Sequence, residues 1–137
     1  MARYMGEQMA AHYKNYPELA EAEMVVPVPL FPKRNRTRGY NQSELLAENF
    51  APRVGLTADT KSLVRIKNTV SQTTLGRMGR LANMKGAFAC KNPAAVKGKT
   101  VLLIDDVATT GATLEGCAAA LKAAGAKKVM AYTFARE

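Results

Sequence analysis

The sequence predicts an α/β fold with a mostly parallel sheet, and three observations predict it. Short apolar runs at residues 24–29, 62–67 and 128–135 alternate with stretches whose apolar residues recur at helical spacing. Val101, Leu102, Leu103 and Ile104 form an unbroken apolar run after Gly98 and Lys99, as a strand covered on both faces requires. That run ends in two acids, followed by a small hydroxyl-rich loop and an Ala-rich helical stretch. At 137 residues with 47% hydrophobic content, the chain reads as a single globular domain, residues 1–137.

The elements are taken in chain order. Residues 3–16 place Met5, Met9, Ala10 and Tyr13 at helical spacing, so the leading segment 1–20 opens on a helix whose methionines form a packing face. This helix starts without a cap, which leaves open a truncated form or a start at an internal methionine. His12 is the only histidine and has no companion to build a metal site. Residues 24–29, Met-Val-Val-Pro-Val-Pro, read as a short strand running into an extended turn, because each proline restricts the residue before it. Lys33, Arg34, Arg36 and Arg38 then place four cations in six residues; a solvated face, a polyphosphate clamp and a nucleic-acid patch all fit this run.

Asn41 caps the next helix, with Glu44 three residues on completing a capping box. Leu45, Leu46 and Phe50 supply its core face, and Pro52 with Gly55 ends it. Residues 62–67 are a strand in which charge alternates partway with apolar residues. Residues 68–83 are polar, carry Gln72, Arg77 and Arg80, and include a short helix within 75–83; so long a polar segment is more often functional or mobile than idle. A weak strand at 86–90 and a turn at Asn92-Pro93 precede the apolar run. The helix at 113–124 stops at Gly125, and residues 128–135 form the last strand. No internal repeat is visible.

Composition narrows the function classes. A net charge of +9 favours polyanions, either nucleic acid or a heavily phosphorylated small molecule. No apolar stretch approaches the ~20 residues that cross a bilayer, and the first residues lack a signal peptide's apolar core, so a cytoplasmic location is expected. Cys90 and Cys117 have neither Cys-x-x-Cys spacing nor a His nearby, which reads as free thiols in a reducing compartment and rules out a zinc site built from them.

The chemistry concentrates in residues 101–114. Open parallel sheets bind ligands beyond the carboxyl ends of their strands, where Asp105 and Asp106 fall. The helix start just beyond offers unpaired N–H groups and a partial positive charge, Gly111 permits close backbone approach, and Thr109, Thr110 and Thr113 add hydroxyl donors. With Ala112, that loop suits a terminal phosphate monoester. The acids suit a neighbouring polyol or a divalent cation. Side by side, the two sites imply a phosphorylated sugar.

Residues 101–114 resemble the phosphoribosyl pyrophosphate (PRPP) signature of type I phosphoribosyltransferases. The wider sequence is similar to the ComF family of competence-associated phosphoribosyltransferase-like proteins. The similarity rests on Val26-Pro27-Val28-Pro29-Leu30, Arg38-Gly39-Tyr40-Asn41-Gln42, residues 72–75, Arg80, Asn83, Gly86-Ala87-Phe88 and the Asp-Asp pair. The resemblance implies a type I phosphoribosyltransferase-like sheet flanked by helices, with a flexible lid loop. It assigns the ribose hydroxyls to Asp105 and Asp106 and the 5-phosphate to residues 109–113. Pyrophosphate falls to the loop carrying Pro29, Lys33, Arg34, Arg38 and Gly39. Lid positions fall on Arg65, Lys67, Gln72 and Arg77, and Arg80 joins the acids as a catalytic group. Mg²⁺ would bridge ribose and pyrophosphate oxygens at Asp105 and Asp106, directly or through water.

Two departures stand out. The family's N-terminal zinc ribbon has no counterpart in these residues, and Phe31 stands where a histidine is frequent. Thr109 also occupies the place of the aspartate that handles the purine proton in hypoxanthine–guanine phosphoribosyltransferases. A threonine is no general base without an activator, which disfavours those two acceptors. Two function classes result: transfer or recognition of a ribose-5-phosphate group, with Arg34, Arg36, Arg38, Arg77 and Arg80 facing the pyrophosphate charge, or a PRPP-regulated competence factor handling single-stranded DNA. Acceptor and oligomeric state are left open.

Overall fold

The computed structural model describes residues 2–29, 42–66, 86–108 and 111–136. Helix α1 (Ala2–Tyr13) and a 3-10 turn (Pro17–Glu21) lead to strand β1 (Met24–Pro27). Helix α2 (Gln42–Phe50) runs into a second 3-10 turn (Ala51–Val54) and the two-residue strand β2 (Thr57–Ala58). Strands β3 (Leu63–Arg65) and β4 (Phe88–Cys90) precede a one-turn helix α3 (Pro93–Val96). Strand β5 (Thr100–Ala108), helix α4 (Ala112–Ala123) and strand β6 (Lys128–Arg136) complete the chain.

The main sheet has the order β2-β1-β5-β6, and each pairing is parallel. Side chains alternate across it. Val26, Val101 and Leu103 face a cluster with Cys117 and Leu121 of α4 and with Leu63 and Phe88. Val25, Leu102 and Ile104 face the opposite cluster, with Met5 and Met9 of α1 and Leu46 and Phe50 of α2. Because both faces are covered, β5 has to be apolar at every position from Val101 to Ile104, all of them buried. Each such side chain contributes roughly 1.5–3 kcal/mol on burial, so the strand is a rigid mount for the acids that follow Ile104. Helices α1 and α2 approach closely because Gly6 carries no Cβ; one placed there would lie 2.9 Å from the Cβ of Asn49.

The parallel α/β reading holds, with local corrections. The apolar run stops at Ile104, but β5 stays in register with β6 as far as Ala108, so the two acids lie within the strand rather than after it. Strands β3 and β4 form a separate antiparallel pair. Asn92-Pro93 opens a helical turn rather than a plain turn, with Pro93 at the first helical position, where its missing N–H costs nothing. Leu45 is exposed and Ala47 takes its place on the core face of α2. Strand β2 is too short to show a pattern in sequence. The cap at Asn41 and the short helix within 75–83 lie outside the described residues.

Candidate functional site

The carboxyl end of β5 positions the acids. Pro27 is level with Ile104, and the N–H of Val28 donates to the Ile104 carbonyl at 3.0 Å, so β1 delivers Val28 and the buried Pro29 alongside Asp105. On the other side, Asp105 is level with Thr133 of β6. The first turn of α2 reaches the acids: the Ser43 hydroxyl donates to Asp105 Oδ1 at 2.7 Å, and the backbone N–H of Asp106 donates to the same oxygen at 2.9 Å. Ser43 is buried, and both acids are half-buried.

The electrostatics are unusual for an acid with two donors. Burial pushes the Asp105 carboxyl up, the adjacent Asp106 carboxyl adds to the rise, and the two hydrogen bonds only partly offset it; the group ends at about 7. Two carboxyls held together in a half-dry place favour anything that brings hydroxyl donors or positive charge. Among the described residues no group of three or more His, Cys, Asp or Glu side chains could hold a metal ion. A pair of acids still fits Mg²⁺, which is usually held by one or two carboxylates, with waters and substrate phosphates completing the shell.

Beyond β5, Gly111 is the N-cap of α4 and adopts φ 84°, a left-handed conformation that side chains disfavour. Its carbonyl accepts from the Glu115 N–H at 2.8 Å, and as a glycine the N-cap residue brings no side chain of its own to cap the helix. The first turn of α4 thus starts with Ala112 and Thr113 just past the acids, on the same edge of the sheet. Of the signature loop, Gly111, Ala112 and Thr113 are described; Thr109 and Thr110 lie outside the described residues, as do Lys33, Arg34, Arg36, Arg38, Gly39, Lys67, Gln72, Arg77 and Arg80. Arg65 is in β3, buried, with its guanidinium 5.5 Å from the centre of the Phe88 ring, at the root of the segment that leads to residues 67–85. Cys117 is a free, fully buried thiol whose burial pushes its pKa up, which makes it a packing residue.

Ser43 is the residue of the candidate site that sequence reasoning passed over. A serine in the first turn of a helix reads as local capping chemistry, and a bond to an acid 62 residues away leaves no local trace.

The profile of the phosphoribosyl transferase domain family matches residues 41–137. The DNA utilization protein YhgH of Salmonella typhi is 35% identical over 114 residues, covering 83% of this chain and 49% of that protein. The competence protein ComFC of Bacillus subtilis is 37% identical over 117 residues, covering 82% and 44%. The chain therefore spans about half the length of the curated relatives it matches. Among solved structures, the glutamine PRPP amidotransferase of B. subtilis superposes with a TM-score of 0.60 at 20% identity, over 97% of this chain and 26% of that one, a likeness of fold.

Proposed function

The chain belongs to the phosphoribosyl transferase domain family, and from that premise we propose that it binds PRPP and transfers or recognises its ribose-5-phosphate group. The observation that carries the reading is the pair Asp105 and Asp106 near the carboxyl end of β5, in the strand that leads to the start of α4 at Gly111. The acids accept hydrogen bonds from the ribose hydroxyls, with Ser43 fixing the orientation of Asp105. The N–H groups from Gly111 to Thr113 hold the 5-phosphate against the positive end of α4. Pro29 follows β1, and the family resemblance assigns the pyrophosphate to Pro29, Lys33, Arg34, Arg38 and Gly39 and a catalytic role to Arg80.

Mg²⁺ would be held by Asp105 and Asp106 together with substrate oxygens, and when bound it neutralises charge on the pyrophosphate. Transfer breaks the bond from the ribose anomeric carbon to pyrophosphate and forms one to the acceptor. The protein's part is positioning and charge stabilisation, so losing one important donor costs roughly 3 kcal/mol of transition-state stabilisation. A screen for pyrophosphate release across bases, amines and single-stranded DNA tests turnover. Release with an acceptor supports transfer, PRPP binding without release supports recognition, and absence of PRPP binding overturns both.

A second reading has its own support. The net charge of +9 and relatives named for DNA utilization and competence favour a role in handling single-stranded DNA. Salt-titrated oligonucleotide binding tests it, since phosphate contacts make affinity fall steeply with salt.

A further inference from the structure

Ser43 stands where helix packing calls for an apolar side chain. The buried residues of α2 are Ser43, Leu46, Ala47 and Phe50, which is the i, i+3, i+4, i+7 spacing of one helix face. Leu46, Ala47 and Phe50 lie in one cluster with Leu102 and Ile104 of β5. Ser43 extends that face by one turn, is only 5% exposed, and carries a hydroxyl. A hydroxyl in so dry a place costs free energy unless it is bonded, and this one donates to Asp105 Oδ1 at 2.7 Å. By alternation along β5, Asp105 shares the face of Val101 and Leu103, whereas α2 packs on the other face. The bond therefore reaches across the strand. Packing asks nothing polar of position 43, and the acid supplies the reason for the hydroxyl.

The donors also decide what Asp105 has left to offer. The Ser43 hydroxyl and the Asp106 N–H both go to Oδ1, at 2.7 and 2.9 Å. A carboxylate oxygen accepts about two hydrogen bonds, so Oδ1 is filled and a ligand hydroxyl is taken on Oδ2. With one oxygen already in use, Asp105 is poorly arranged to clasp a cation through both. Asp59 shows the contrast. Its Oδ1 takes the N–H groups of Lys61 and Ser62 and its Oδ2 takes the Ser62 hydroxyl, so both oxygens are spent within its own turn.

We propose that Ser43 is a specificity-determining residue for the pentose: by holding Oδ1 of Asp105 it commits Oδ2 to a ribose hydroxyl and makes affinity depend on that hydroxyl. Ser43 touches the acid and not the sugar, so it is a positioning residue. This rests on the ribose-binding reading of the acid pair.

The test compares two ligands by calorimetric titration into the full chain. One is ribose 5-phosphate; the other is tetrahydrofurfuryl phosphate, which keeps the ring and the phosphate but has no ring hydroxyls. Wild type is expected to prefer ribose 5-phosphate. Ser43→Ala is expected to lower that preference about 5- to 10-fold, on the order of one hydrogen bond, and Ser43→Thr, which keeps the hydroxyl, to retain it. Ser43→Cys, similar in shape with a weaker donor, is expected to fall between the two and gives the same reading if the alanine variant does not fold. A purely structural role would weaken both ligands in proportion and leave their ratio alone, which overturns the proposal. If that ratio survives in Ser43→Ala but collapses in Asp105→Ala, Ser43 loses its role while the ribose reading stands. Equal affinity of wild type for the two ligands, or none for either, overturns both.

Discussion

Two carboxylates among the described residues accept a serine hydroxyl, and their pKa values move in opposite directions. Asp59 takes the Ser62 hydroxyl at 2.6 Å and the N–H groups of Lys61 and Ser62, each at 3.0 Å. Burial pushes its carboxyl up, but these donors, with Lys99 nearby, outweigh burial and leave it below the usual range. Asp105 takes Ser43 at 2.7 Å and one N–H, yet burial and the apposed Asp106 leave it at about 7. Asp59 is satisfied by its own turn and holds the entry to β3. Asp105 is left electrostatically incomplete by the folded chain alone, which is the condition expected of an acid kept for a ligand.

Stability against pH should separate the two acids. The raised pKa of Asp105 means the folded protein binds a proton that the unfolded chain, with an ordinary carboxylate near ~4, has lost. Its contribution to stability is therefore lost as pH rises from about 4 to about 7. Asp105→Asn, which keeps an acceptor for Ser43 but cannot ionise, is expected to raise stability at pH 8 by a few kcal/mol in urea unfolding and to flatten that window. An unchanged pH profile would remove the contrast between the two acids.

Asp59→Ala should act in the other direction, because a depressed carboxylate contributes stability above its unfolded pKa and loses it as pH falls. A loss of about 1–2 kcal/mol at neutral pH is expected, discounted because the turn is partly exposed, with PRPP affinity unaltered. Gly111→Ala is next, at about 1 kcal/mol from the left-handed φ alone, since nothing among the described residues lies within 4 Å of the added methyl. The same variant reports through PRPP affinity on whether the loop holds phosphate. Ser43→Ala is the smallest, at about 0.5–1 kcal/mol near pH 8, and should push the Asp105 carboxyl further up, readable by carboxyl NMR titration.

What was legible in sequence was what adjacent residues decide. Val101 to Ile104 announced a strand covered on both faces, and the acids with Gly111 marked the candidate site, because strand, acids and helix start follow one another in the chain. Gly125 marked the end of α4 for the same local reason. What escaped was set by distant partners. Ser43 meets Asp105 across 62 residues. Arg65 falls to the lid by resemblance, while its place in β3, paired with β4 and over the Phe88 ring, depends on residues more than twenty positions away. No helix among the described residues is long and apolar enough to cross a membrane.

The most direct test of the acid pair is calorimetric titration of PRPP with Mg²⁺ into the wild-type chain and into Asp105→Asn with Asp106→Asn. Saturable binding by wild type and a loss of at least about 100-fold in the double variant, roughly 3 kcal/mol, is the expected result. Equal affinity in the two proteins would contradict the assignment of these acids to the pentose.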